Sequence, residues 1–187
     1  GIYLPEQQVG IYSFAAMLVD GLIHIISMIR INFNPLLVKY IKHQNWLEMT
    51  KLRLNTQKYL TPTLIIFSTI ILVCFYIFTF LIVPDKHLQD GLPSLIILLA
   101  GLIPISALIP FDNLMLISGH PGFQTLQQMS IVITNFVLTI ILIPFLSIQG
   151  AAIGTVIGNM IGIVFVVLFT RKIIGWKLLN NNYQKAA

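Results

Sequence analysis

From Tyr59 to Pro84, from Gly91 to Phe111 and from Asn113 to Thr170 the chain carries no Asp, Glu, Lys or Arg. A helix rises 1.5 Å per residue, so about 20 apolar residues cross the roughly 30 Å hydrocarbon layer of a bilayer. The first two gaps each hold one such crossing, and the third holds two. Only 9% of the residues are charged and 57% are hydrophobic, against about 25% charged in an ordinary soluble domain. A water-soluble fold, a disordered chain, a coiled coil and a secreted disulfide scaffold are excluded together. The single cysteine, Cys74, lies within an apolar run, so neither an intrachain disulfide nor a CxxC metal site can form.

The expected fold class is all-α: one polytopic membrane helix bundle over residues 1–187, with five transmembrane helices at about 8–33, 60–83, 92–118, 123–144 and 150–170. A basic linker over 43–57 reads as a separate surface helix, and 171–187 as a tail. Pro104 and Pro110 fall within the third span, and Gly119-His120-Pro121-Gly122 is a turn by composition. Cytoplasmic loops carry an excess of Lys and Arg. Lys39, Lys42, Lys51, Arg53 and Lys58 follow the first span and Arg171, Lys172, Lys177 and Lys185 follow the fifth, which puts nine of the eleven basic residues on one side. The N-terminus is therefore expected outside and the C-terminus in the cytoplasm. This flanking pattern also accounts for the net charge of +5 without a nucleic-acid partner, which would need a basic face on a soluble module. The chain opens at Gly1 within an apparent loop, and is expected to be a portion of a longer protein.

Ionisable side chains at bilayer depth are costly unless paired or facing water, which makes them functional candidates. The first span holds Asp20 near its midpoint, His24 one turn later, and Arg30 about 15 Å beyond Asp20 by helix rise. At 100° per residue Ser13, Asp20, His24, Ser27, Arg30 and Asn34 share roughly a third of the helix circumference. An i, i+4 carboxylate and imidazole can share a proton, so Asp20 and His24 suit a cation or proton site, or else form a buried pair that orients the helix. Arg30 can hold an anionic head group such as pyrophosphate, or snorkel to ordinary lipid phosphate. Asp112 and Asn113 follow Pro110, where a kinked or unwound segment can line a transport site; alternatively Asp112 lies shallow enough to meet interfacial water. Asn135 and Asn159 are expected to make interhelical hydrogen bonds.

Gly150, Gly154, Gly158 and Gly162 recur every four residues and so align on one helix face, the pattern that lets two membrane helices approach closely. No GxSxG, HExxH, P-loop or CxxC motif occurs, and His43 and His120 have no metal-ligand spacing, so neither an enzyme nor a metal site is expected. No cofactor is expected either, beyond a coupling proton or Na+.

The segments VGIYSFA (Val9 to Ala15), SGHPGFQTL (Ser118 to Leu126) and TNFVLTIILIPFLSIQGAAIGT (Thr134 to Thr155) resemble, in this order, the C-terminal half of polysaccharide flippases of the multidrug/oligosaccharidyl-lipid/polysaccharide exporter superfamily. The resemblance implies a twelve-helix, two-lobe transporter of the bacterial inner membrane, of which this chain supplies part of the C-terminal lobe. It implies alternating access, an undecaprenyl-pyrophosphate-linked oligosaccharide as cargo, and the missing N-terminal lobe and membrane lipids as partners. By position Arg30 and His24 are its head-group candidates. A cation-coupled drug exporter of the same superfamily would rely on Asp20 and Asp112 instead. A non-transporting membrane subunit of a glycan assembly complex would use the polar stripe for docking.

Overall fold

A computed structural model describes residues 5–82 and 86–179, apart from the side chains of Lys86 and His87. Val83 to Asp85, at the end of the second span and in the loop after it, and the tail from Asn180 onward with Lys185 lie outside the described residues. Among the described residues there is no strand. Four helices are long and apolar enough to cross a membrane, and a bent pair makes a fifth if it counts as one crossing. The chain is an all-helical bundle of the kind that suits a multi-pass membrane protein.

Helix α1 (Glu6–Lys42) has 37 residues, and at 1.5 Å each it is about 55 Å long, well beyond a bilayer's apolar depth. The chain reverses through Gln44, whose φ is 51°, and α2 (Trp46–Ile77) begins where the side chain of Asn45 accepts a hydrogen bond from the Glu48 backbone N–H at 3.3 Å. The expected separate surface helix over 43–57 is not formed. Residues from Trp46 onward belong to the same helix as the second span, because Leu, Glu, Met, Lys and Arg are strong helix formers, and the helix continues through Pro62. Helix α2 passes into a π turn at Phe78–Ile82. Gln89 Nε2 donates to the Thr79 carbonyl in this turn at 3.3 Å. Hydroxyls such as those of Thr56, Thr63 and Thr69 donate to the carbonyl four residues back on their own helix, which satisfies them where water is absent.

A short α3 (Lys86–Gln89) leads to α4 (Gly91–Ile105), a 3-10 turn at Ile109–Phe111 and the short α5 (Leu114–Ile117). The two halves of this third span meet at 62°. The break follows from proline chemistry: Pro110 has no N–H, and its ring excludes the carbonyl four residues earlier. Ser106 repairs part of the damage, donating through Oγ to the Ile103 carbonyl at 2.6 Å. Helix α6 (Pro121–Leu146) starts after Gly119, at φ 85°, and α7 (Ile148–Phe169) follows after the single residue Ser147.

Helices α6 and α7 share the most extensive interface in the chain. Gly150, Gly154, Gly158 and Gly162 are all buried in it. A Cβ added at Gly150 would lie 2.7 Å from the Leu142 carbonyl, and one at Gly158 would lie 3.0 Å from the Ile131 carbonyl. One core, with Ala15, Val19, Leu22, Leu95, Leu99 and Ala152, joins α1, α2, α4 and α7. A second, at the end of the bundle opposite the N-terminus of α1, gathers Leu37, Met49, Phe111, Met115, Val166 and Trp176. Trp176 is fully buried there and donates through Nε1 to Thr50 Oγ1 at 3.2 Å.

Candidate functional site

The polar side chains of α1 do not share one environment. Its buried residues Ile11, Ala15, Val19, Leu22, Ile26 and Leu37 mark one face, and at 100° per residue Arg30 falls at the edge of that face while His24 falls opposite it. Ser13, Asp20 and His24 are exposed, whereas Ser27, Arg30 and Asn34 are half-buried. His24 stands among the exposed Met17, Met28 and Ile31. No hydrogen bond or ion pair joins Asp20 to His24 among the described residues.

Arg30 reaches across to the broken third span. Its Nη1 donates to Asp112 Oδ2 at 3.3 Å. From the other side Gln127 of α6 donates through Nε2 to Asp112 Oδ1. Gln127 is the one buried residue of α6, and it directs an amide at this carboxylate. Arg30, Asp112 and Gln127 thereby tie α1, the bend of the third span and α6 together. Asn113, next to Asp112, is half-buried at the start of α5 with no side-chain hydrogen bond to that helix.

Two adjoining clefts run between α1, α4 and α7. The first, about 60 Å³, is lined by Asp20, Ile23, Thr155, Val156 and Asn159 among others, and the second, about 110 Å³, by Ile23, Asp112, Gln127, Asn159 and Gly162. Ile23, Leu102, Ile105 and Asn159 border both, which makes one crevice with a carboxylate toward each end. His24, Arg30 and Asn113 line neither cleft. Tyr12 and Thr155 close α1 against α7 beside the first cleft through a 3.0 Å hydroxyl pair.

The expected interhelical bonds of the two asparagines are not made. Asn135 Oδ1 accepts from Thr139 Oγ1 on its own helix at 2.9 Å; Asn159 has no hydrogen-bond partner among the described residues and opens onto both clefts. Gln127 went unnoticed in the sequence because Gln124 and Gln128 flank it at the same end of α6, and only the α6–α7 contact decides which of the three points inward. Among the described residues no cluster of His, Cys, Asp and Glu converges as metal ligands do. No known protein family, no curated protein and no solved structure matches the chain.

Proposed function

We propose that the chain is part of a flippase that carries an undecaprenyl-pyrophosphate-linked oligosaccharide across the bacterial cytoplasmic membrane by alternating access. In this reading the N-terminus lies outside and the C-terminus in the cytoplasm, and the lobe that completes the cavity lies elsewhere in the protein. The observation that carries it is the crevice between α1, the broken third span and α7, with Asp20 and Asp112 toward its two ends. Carboxylates at bilayer depth are tolerated where they border water or pair with one another's counter-charges, and discontinuous helices are where transporters place their binding groups. The flippase-like segments from Val9 to Ala15, Ser118 to Leu126 and Thr134 to Thr155 choose the cargo class.

A strain that lacks the intact gene is expected to lose surface polysaccharide and to accumulate its lipid-linked repeat unit on the cytoplasmic side. Normal surface glycan in that strain refutes the proposal. One observation favours a second reading, a cation-coupled exporter: Asp20 is exposed and unpaired at the cleft, while the charge of Arg30 is already answered by Asp112. Reduced drug resistance in the same strain, with intact glycan, selects that reading.

A further inference from the structure

We propose that the groove between α1 and α2 holds one anionic phospholipid of the surrounding leaflet, its acyl chain in the groove and its phosphate on Asn55, Lys58 and Tyr59. The inference goes beyond the flippase reading and depends only on the bundle crossing a membrane.

The groove has room and apolar walls. It encloses about 320 Å³, more than either cleft beside α7. Ile29 and Phe33 of α1 line it together with Leu52 and Leu60 of α2, and it shares no lining residue with the crevice. Its two threonines, Thr56 and Thr63, donate their hydroxyl protons to carbonyls of α2 itself, so the walls suit a hydrocarbon chain.

Its depth is that of a chain and its ester. The edge of the hydrocarbon is marked on three helices: the uncharged run of α2 begins at Tyr59, that of α7 ends at Thr170 before Arg171, and Arg30 is the first basic residue of α1. Hydrogen bonds from Ser147 to Gln8 and between Tyr12 and Thr155 set α1 and α7 side by side in parallel, which puts Arg30 and Arg171 at about the same height by helix rise. From Leu52 to Thr63 the groove runs about 16 Å, roughly the half of a 30 Å hydrocarbon layer that one leaflet supplies. Ile29, Leu60 and Thr63 lie at or inside the edge. Phe33 and Leu52 continue the apolar wall into the head-group layer, so a chain can follow the groove up to its ester bond.

One rim of the groove is made of donors. Asn55, Lys58 and Tyr59 lie within about one turn of α2 and are exposed, and their side chains make no hydrogen bond or ion pair among the described residues. Asn55 and Tyr59 line the groove. The Lys58 ammonium stands 5.6 Å from the centroid of the Tyr59 ring, a cation–π contact that holds it at this wall. A phosphate diester offers acceptors to each of the three. Opposing charge is scarce: from Ile31 to Lys58 the hairpin carries Lys39, Lys42, Lys51, Arg53 and Lys58 against the single acid Glu48, which Lys51 binds at 2.7 Å. A zwitterionic lipid brings its own cation to this basic surface, whereas an anionic lipid does not, and basic pockets between membrane helices select the latter.

The test titrates the intact protein in detergent micelles with phosphatidylglycerol and phosphatidylcholine of identical chains and counts retained lipids by native mass spectrometry. The parent is expected to hold one phosphatidylglycerol about fivefold more tightly than phosphatidylcholine, the factor that one lysine beside an anionic lipid supplies. Lys58→Gln is expected to lose that preference. Lys172→Gln, the same loss of charge at the end of α7, is expected to keep it. Thr63→Phe places a ring in the groove and is expected to release both lipids. Equal retention of the two lipids by the parent reveals an adventitious acyl chain only and overturns the proposal; so does an equal loss in Lys58→Gln and Lys172→Gln, which is the mark of diffuse surface attraction. Unaltered binding by Thr63→Phe overturns it as well, and displacement of the lipid by glycerol 3-phosphate alone assigns the rim to a soluble anion. Should Thr63→Phe fold poorly, a phosphatidylglycerol with a diazirine on its acyl chain decides in the parent. Labelling within residues 52–63 is the expected result, and labelling confined to other helices refutes the site.

Discussion

Replacing Gly150 by alanine adds one methyl group, and the structure says where that methyl must go. Its carbon would lie 2.7 Å from the carbonyl carbon and oxygen of Leu142 and 2.9 Å from the Ile143 nitrogen. These are backbone atoms and cannot rotate away. Non-bonded heavy atoms settle at about 3.5–4.0 Å, so the two helices must part by about 0.8 Å at this level. Insertion of a methyl into a filled contact costs about 1–3 kcal/mol, and the better helix propensity of alanine returns up to ~1 kcal/mol. Gly150→Ala is therefore expected to lose up to ~2 kcal/mol. Gly21 of α1 supplies the control, since no atom lies within 4 Å of the position its Cβ would take. Gly21→Ala is expected to be neutral or slightly stabilising. The assay is reversible unfolding of the intact protein in mixed micelles, read from the detergent fraction at the midpoint. Equal midpoints for the two variants would refute the reasoning that backbone contact, and not helix propensity, governs this face.

Trp176→Ala empties a fully buried site and removes the donor to Thr50 Oγ1, which keeps its own bond to the Trp46 carbonyl; large-to-small changes of this kind cost about 3–5 kcal/mol. Faster amide hydrogen exchange over residues 46–54 and 171–179 is the expected sign, and unchanged protection there contradicts it. Tyr12→Phe removes the hydroxyl pair with Thr155 and is expected to destabilise by ~0.5–1 kcal/mol; a double-mutant cycle with Thr155→Val should show the two losses to be less than additive. For orientation, His120→Cys in a Cys74→Ala background should resist a membrane-impermeant thiol reagent in intact cells and react in inverted vesicles. Labelling from outside would reverse the proposed topology.

The charge-free runs predicted the long helices because bilayer depth leaves few alternatives for such segments. Pro110 predicted the break in the third span, although Pro35, Pro62 and Pro144 lie within helices that continue through them. The continuity of α2 from Trp46 was missed because its charges read as a solvated link, although Leu47, Met49, Leu52 and Leu54 interleave with them and favour a helix equally well. The pairing of Arg30 with Asp112 spans 82 positions, and no periodicity encodes a partner at that distance. What the helical wheel did hold, once the buried face was known, is the difference between Arg30 at its edge and His24 opposite. A stripe of polar residues spanning a third of a helix is wide enough to meet two surroundings.

Between Asn113 and Thr170 neither α6 nor α7 carries a charge that could be drawn to one leaflet, and one residue, Ser147, is all that separates them. With no room in that bend for either helix to turn over independently, and with glycine faces already touching, the two must enter the lipid during synthesis as a single wedge. Which way the wedge points is then left to the basic residues that flank it, the lysine-rich hairpin before it and Arg171 and Lys172 at the end of α7, since positive charge is what favours one side.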